Sequence, residues 1–304
     1  MMSSHELVEC KTIDGVIIRG WFYQVDGPAP VVILSHGFNC VKEMSLPDVA
    51  ERFKNHGYNA FLYDARGVGA SGGMPRNESD PLQMAGDLSD LITHMGQMPS
   101  VDAKNILLWG MSFGAMVSGI CAAIDRRPKG VVMVCPLFSF IHTTKRENLF
   151  AHIIRDRVSQ LHGNPALTLP PFDNRGENLA GMGGAGGSGG LEAYHLMRAA
   201  KETGHPGFRD KITLQTYYKL AVARPKEVMA DLLRHVPVMI VVPELDDVSS
   251  PIEQKEVFDS LRVPKRLYWA EGARHLSVLT GDGALGILEA IDRFCEDALG
   301  GRIE

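Results

Sequence analysis

This 304-residue chain predicts an α/β fold with a mostly parallel central sheet, helices on both faces and a helical insertion. Short apolar runs rich in β-branched residues alternate with longer stretches in which apolar residues recur every three or four positions. The runs end beside Gly, Ser or Asp, as buried parallel strands do when their C-terminal ends carry functional loops. One long interval between two such runs breaks the alternation.

The first three strand candidates are Val31-Val32-Ile33-Leu34, Ala60-Phe61-Leu62-Tyr63 and Ile106-Leu107-Leu108-Trp109, with further ones at 130–135, 238–242 and 266–269. Crossover helices are expected at 46–55 and 84–95, and a last long helix at 283–298 with Leu285, Ile287, Leu288, Ile291 and Phe294 as its core stripe. Residues 1–135 and 235–304 are therefore read as the core. The interval 136–234 is rich in His, Arg, Met and aromatics, has helical patterns at 191–201 and 214–222 but no clear strand, and reads as a helical lid over the sheet's C-terminal edge. Within it the glycine-rich run 181–190 gains little side-chain burial and loses much backbone entropy on ordering, which predicts a mobile loop.

Composition narrows the function. Hydrophobic residues at 45% and charged residues at 22% are globular values, and a net charge of -5 without a Lys/Arg cluster argues against nucleic acid as a partner. No apolar run is long enough to cross a bilayer, and the N-terminal residues lack a secretory pattern, so a cytoplasmic protein without a membrane partner is expected. The five cysteines, Cys10, Cys40, Cys121, Cys135 and Cys295, are odd in number and widely spaced, which reads as spectator thiols, with Cys40 singled out by its nearness to the expected site.

Trp109-Gly110-Met111-Ser112-Phe113-Gly114 is the strongest local signal. A buried strand enters it and the apolar stretch 115–123 leaves it as a helix, so Ser112 sits at a tight strand-to-helix turn and is the expected nucleophile. A hydroxyl needs a base, and the base needs an anion to fix its tautomer. The later loops Pro243-Glu244-Leu245-Asp246-Asp247 and Gly272-Ala273-Arg274-His275 supply both: His275 as general base and Asp246 as acid, with Asp247 the alternative. Developing negative charge requires preorganised donors, for which the backbone N–H groups of Phe38, after Ser35-His36-Gly37, and of Phe113 are the candidates. His36 reads as structural. The glycines of the stretch 63–72 lack dinucleotide or P-loop spacing, so that segment reads as a turn in which Asp64 and Arg66 fix neighbouring loops. No HExxH or compact His/Asp cluster occurs, so neither metal nor cofactor is expected.

In this order, Ser35-His36-Gly37, the stretch 64–71, Gly110-Met111-Ser112-Phe113-Gly114, Asp246-Asp247 and His275 resemble the α/β-hydrolase superfamily. Gly37-Phe38-Asn39-Cys40-Val41-Lys42-Glu43-Met44, Pro99-Ser100-Val101-Asp102 and Val242-Pro243-Glu244-Leu245-Asp246 resemble, more narrowly, fungal polyketide transferases and thiohydrolases related to dienelactone-hydrolase-like enzymes. Dienelactone hydrolases proper carry Cys where this chain has Ser112. The resemblance implies a small-molecule polyketide acyl substrate, carried as a thioester on a carrier-protein domain, with Cys40 lining its pocket beside Phe38. The leading expectation is a serine hydrolase that cleaves an ester or thioester through an acyl-Ser112 intermediate. Acyl transfer to an alcohol or amine, C–C hydrolysis of a β-diketone and non-catalytic binding remain alternatives.

Overall fold

The computed structural model describes residues 5–182 and 188–304. In chain order the strands are β1 (Glu6–Lys11), β2 (Ile17–Tyr23), β3 (Ala29–Ser35), β4 (Asn59–Tyr63), β5 (Val101–Met111), β6 (Gly130–Val134), β7 (Thr168–Leu169), β8 (Ile212–Thr213), β9 (Val238–Pro243) and β10 (Lys265–Ala270). The helices are α1 (Leu46–Asn55), α2 (Pro81–Gly96), α3 (Phe113–Ile124), α4 (Arg146–Leu161), α5 (Ser188–Thr203), α6 (Gln215–Ala223), α7 (Pro225–Leu232), α8 (Pro251–Ser260) and α9 (Ala284–Leu299). Eight strands form one sheet in the order β1-β2-β4-β3-β5-β6-β9-β10. The pairs β1–β2 and β2–β4 are antiparallel and every other neighbouring pair is parallel. This is the α/β-hydrolase fold.

Continuous apolar runs make these strands because both faces of the sheet are covered. Val31, Ile33, Ile106, Leu108, Val131 and Met133 pack on one side with α2 and α3. Val32, Leu34, Leu107, Trp109, Val132 and Met239 pack on the other with α1 and α9. Helix α2 begins ahead of its apolar periodicity because Asp80 accepts a hydrogen bond from the Gln83 N–H and Pro81 fits the first turn. In α9 the buried stripe is Ala284, Ile287, Ile291, Phe294, Cys295 and Ala298, whereas Leu285, expected in the core, is 63% exposed. Half a turn of phase separates it from Ile287.

Between β6 and β9 the chain leaves the sheet and forms a helical lid, in which α4, α6 and α7 are preceded by a short 3-10 turn at Thr143–Lys145. Among the described residues, strands β7 and β8 pair only with each other and lie within this interval, a ribbon too short to leave a sequence pattern. The glycine-rich run ends earlier than its composition suggests: α5 starts at Ser188, and Gly189 and Gly190 are buried in its first turn. A Cβ on Gly190 would lie 2.1 Å from the Gly176 carbonyl oxygen, so close approach selects glycine there. The remainder of that run, 183–187, lies outside the described residues. No described helix is long and apolar enough to cross a membrane.

Candidate active site

Strand β5 runs into α3 through Ser112, whose backbone is held at φ 56°, ψ -117°. Such a left-handed conformation at a non-glycine residue is strained and persists only when its surroundings impose it. Here the Ser112 N–H donates to the Val134 carbonyl at 2.8 Å, and the Leu137 N–H donates to the Ser112 carbonyl at 3.2 Å. The flanking glycines let strand and helix cross. A Cβ on Gly110 would stand 2.3 Å from the Gly114 oxygen, and one on Gly114 would stand 2.3 Å from the Ser35 oxygen.

The turn brings the Ser112 Oγ to 2.9 Å from His275 Nε2. On the other side of the ring, Nδ1 lies 2.9 and 3.0 Å from the two Asp246 carboxylate oxygens. That carboxylate also accepts from the Val248 and Ser249 N–H groups at 2.9 and 2.8 Å and from Gln254 Nε2 at 3.0 Å. Asp247 points elsewhere, with a carboxylate oxygen 3.8 Å from an Arg274 guanidinium nitrogen. A carboxylate at Nδ1 fixes the neutral ring as the Nδ1–H tautomer and leaves Nε2 as the acceptor.

Sequence reasoning missed a third group at this imidazole. Cys135, at the end of β6, is fully buried, with its Sγ 4.0 Å from His275 Nε2 and 3.7 Å from the His275 carbonyl oxygen. Burial raises the Cys135 thiol pKa, against the pull of His275, so the group carries its proton. For His275, burial works against the charged ring, but the Asp246 carboxylate at Nδ1 outweighs it and the pKa is raised.

Ser112 and His275 open onto a cavity of about 280 Å³. The core contributes Phe38, Met44 and Leu46 to its wall, and the interval between β6 and β9 contributes Phe172, Met182 and Met197. Cys40 lines it too; burial pushes its thiol up to about 12, so this side chain is a protonated, weakly polar wall. Phe38 and Phe113 flank the serine with ring centroids 5.4 Å apart. Phe113 opens α3, where the first N–H groups have no partner within the helix and the helix dipole favours negative charge.

The other conspicuous residues hold loops. His36 is buried, its Nδ1 2.9 Å from the Gly37 oxygen and its Nε2 3.2 Å from the Ala65 N–H, and burial lowers its pKa, so it is a neutral structural ring. Asp64 accepts from the Lys42 N–H, Lys42 Nζ and the Ala70 N–H at 2.9, 2.8 and 2.8 Å. Arg66 bridges Asp14 and Asp87.

The family model described as serine aminopeptidase, S33, matches residues 26–279. The chain belongs to this family of α/β-hydrolases. A thiohydrolase of Eupenicillium brefeldianum is 40% identical over 281 residues, covering 92% of this chain and 90% of the relative. Polyketide transferase af380 of Aspergillus fumigatus is 35% identical, with 94% and 96% coverage. Among solved structures, DcsB in complex with its substrate analogue superposes on this α/β-hydrolase with a TM-score of 0.94 at 52% identity, covering 98% of this chain and 100% of that one.

These findings correct the expected serine-dependent hydrolysis of an ester or thioester. Cys135, read from the sequence as a spectator, joins Asp246 and His275 in a triad-like cluster whose ligand atoms all lie within 4.8 Å of one another. Alongside af380, a polyketide transferase of Penicillium crustosum and an acyltransferase of Aspergillus calidoustus match over 98% and 91% of the chain. Together they point to acyl transfer at a cysteine-containing centre. Nothing local marks Cys135 in the sequence: it follows an ordinary buried strand and stands 140 positions from His275.

Proposed function

We propose that this α/β-hydrolase is an acyltransferase that takes a small polyketide-type acyl group from a thioester and passes it to an alcohol or amine. One observation carries the reading: a buried Cys135–Asp246–His275 cluster adjoins an apolar cavity and has little contact with solvent, His275 being 2% exposed and Cys135 fully buried. In such a site a bound acceptor competes well against water, and charge–dipole interactions are stronger than in solution. The relatives named transferases and acyltransferase support the acyl class.

Asp246 keeps the proton on Nδ1, so Nε2 is the proton acceptor. The acyl carbonyl sits beside Nε2, and the negative charge that develops on its oxygen is met by the N–H groups of Phe113 and Phe38. Cys135 gives its proton to His275 Nε2 as its sulfur bonds to the acyl carbon; His275 returns that proton to the departing donor thiol, then takes one from the incoming hydroxyl or amine as that group bonds to the acyl carbon, and gives it to the Cys135 sulfur as the thioester breaks. Between the two halves the acyl group is held as a thioester on Cys135, beside the Ser112 hydroxyl that borders the cavity. The core segments 1–135 and 235–304 carry this chemistry, while 136–234 and Cys40 shape the acyl pocket and a carrier-protein domain presents the thioester.

The test is to supply acyl thioesters with and without alcohol and amine acceptors, following acyl-acceptor product, free acid and protein adduct by mass spectrometry. Acceptor-dependent ester or amide is expected to exceed free acid at least about tenfold. Free acid released at the same rate with and without acceptor would overturn the reading.

A further inference from the structure

The residue after Phe38 is held in an unusual way. Asn39 has φ 52°, in the left-handed region, and is 6% exposed. Its side chain is saturated by contacts from two other parts of the chain. The amide oxygen accepts from Asn77 Nδ2 at 2.8 Å, while its own Nδ2 donates to the Arg209 carbonyl at 3.2 Å and faces Met197 Sδ at 3.7 Å. Asn77 is likewise buried and left-handed, at φ 53°, and its Nδ2 donates to the same Arg209 carbonyl at 3.2 Å. Its backbone is fixed from both sides: its N–H donates to the Gly67 carbonyl at 2.9 Å, and its carbonyl accepts from the Thr213 N–H at 3.1 Å.

Three segments therefore meet at one amide pair. They are the loop that presents the Phe38 N–H, the loop after β4, and the stretch around Arg209 between α5 and β8. The last is pressed against the core at Gly207, where a Cβ would stand 2.8 Å from the Gly69 Cα. Met197, which touches Asn39, also lines the acyl cavity. A left-handed asparagine needs no such network to be tolerated, since its short polar side chain reaches that conformation unaided. The network instead fixes where the Phe38–Asn39 peptide lies relative to Met197 in the cavity wall and to the stretch around Arg209 that follows α5.

We infer that Asn39 is a positioning residue: it couples the packing of Met197 in the cavity wall and of the 205–213 segment that follows α5 to the alignment of the Phe38 N–H with the developing oxyanion. This rests on the reading of Phe38 as an oxyanion donor. Loss of one such donor lowers turnover by about 10²–10³-fold, so a donor displaced by the loss of its tether should lower it by less.

The test uses Asn39→Gly, which keeps the left-handed backbone and removes the amide, together with Asn77→Ala and the double variant. Each is assayed for kcat and for KM of the donor thioester, and for affinity toward an acyl trifluoromethyl ketone, whose adduct places an oxyanion in the donor site. Asn39→Gly is expected to lower kcat about 10–100-fold with donor KM within about twofold, and to weaken the ketone at least about tenfold. The double variant should be no worse than Asn39→Gly within about threefold, because both substitutions break one unit. The inference is overturned if Asn39→Gly lowers Tm while kcat and ketone affinity stay within about twofold, or if the two substitutions multiply. Asn39→Asp keeps the shape and remains informative should the glycine variant fold poorly; it is expected to lose ketone affinity in the same way, and unchanged affinity there also overturns the inference. Free acid forming regardless of acceptor in the unsubstituted protein would defeat the transfer reading, while the ketone series would still decide the role of Asn39.

Discussion

Replacing Asp246 by Asn tests the proton inventory of the site most directly. The carboxylate accepts from two backbone N–H groups, from Gln254 and from His275, four donors converging on two oxygens. An amide offers one oxygen. If that oxygen keeps the Val248 and Ser249 N–H groups, the new NH₂ faces Gln254 Nε2 and His275 Nδ1. The ring can then accept only at Nδ1, its proton moves to Nε2, and no base remains toward the substrate. A loss of about 10⁴ in kcat is expected, equivalent to about 5.4 kcal/mol of barrier at 1.36 kcal/mol per tenfold. The pH dependence carries a second sign. Burial opposes the charged ring, but the Asp246 carboxylate outweighs it, so the His275 pKa lies above its ordinary 6.5 and activity, which needs the neutral ring, should rise with pH above that value. Because the folded pKa is raised, the stability contributed by this group is fully present below pH 6.5 and is lost as pH rises through the folded value. Asp246→Asn should move the activity limb to lower pH and weaken that trend in Tm. The assays are acceptor-dependent product formation and thermal unfolding across pH. A kcat within tenfold of the parent, or an unmoved limb, would refute this account.

Cys135→Ala should lower transfer at least about tenfold while the circular dichroism spectrum is retained, and unchanged transfer would remove the thiol from the centre. Ser112→Ala removes the hydroxyl 2.9 Å from His275 Nε2 and should lower transfer less than Cys135→Ala does; a larger loss would refute a cysteine centre. Gly114→Ala forces a Cβ to within 2.3 Å of the Ser35 oxygen, so the turn must move. Destabilisation by about 2 kcal/mol, read as a lower urea midpoint, should accompany lost activity, and an unchanged midpoint would show that the crossing has room to spare.

Much of this molecule is written locally in its chain. Val31 to Leu34 and Ile106 to Trp109 announce buried strands because both faces of the sheet are covered, and the predicted 46–55 helix coincides with α1. The glycines around Ser112 mark a strand-to-helix turn, since no other residue fits beneath it. Strands β1 and β2 left no such mark: they are antiparallel at the sheet's edge, and β1 is largely exposed, so no apolar run builds up. The choice between Asp246 and Asp247 turned on which way a loop points, which depends on the Val248 and Ser249 N–H groups gathering one of the two. Cys135 was invisible for a related reason. Its importance comes from two strand ends lying side by side, β6 next to β9, and not from any residue adjacent to it in sequence.

The cavity's division of labour bears on what the protein accepts. Phe172, Met182 and Met197 come from the covering interval, whereas His275 and Asp246 sit on loops at strand ends. Substitutions in the former can reshape the cavity without disturbing the His275–Asp246 contacts in the latter. Four methionines border that space, Met44, Met111, Met182 and Met197, and unbranched thioethers adapt to guests of different outline at little cost. Such a wall is expected to adapt to acyl chains of differing branching. On the transfer reading proposed above, selectivity then falls to the acceptor that must reach His275 Nε2, and altering that approach alone would change the product.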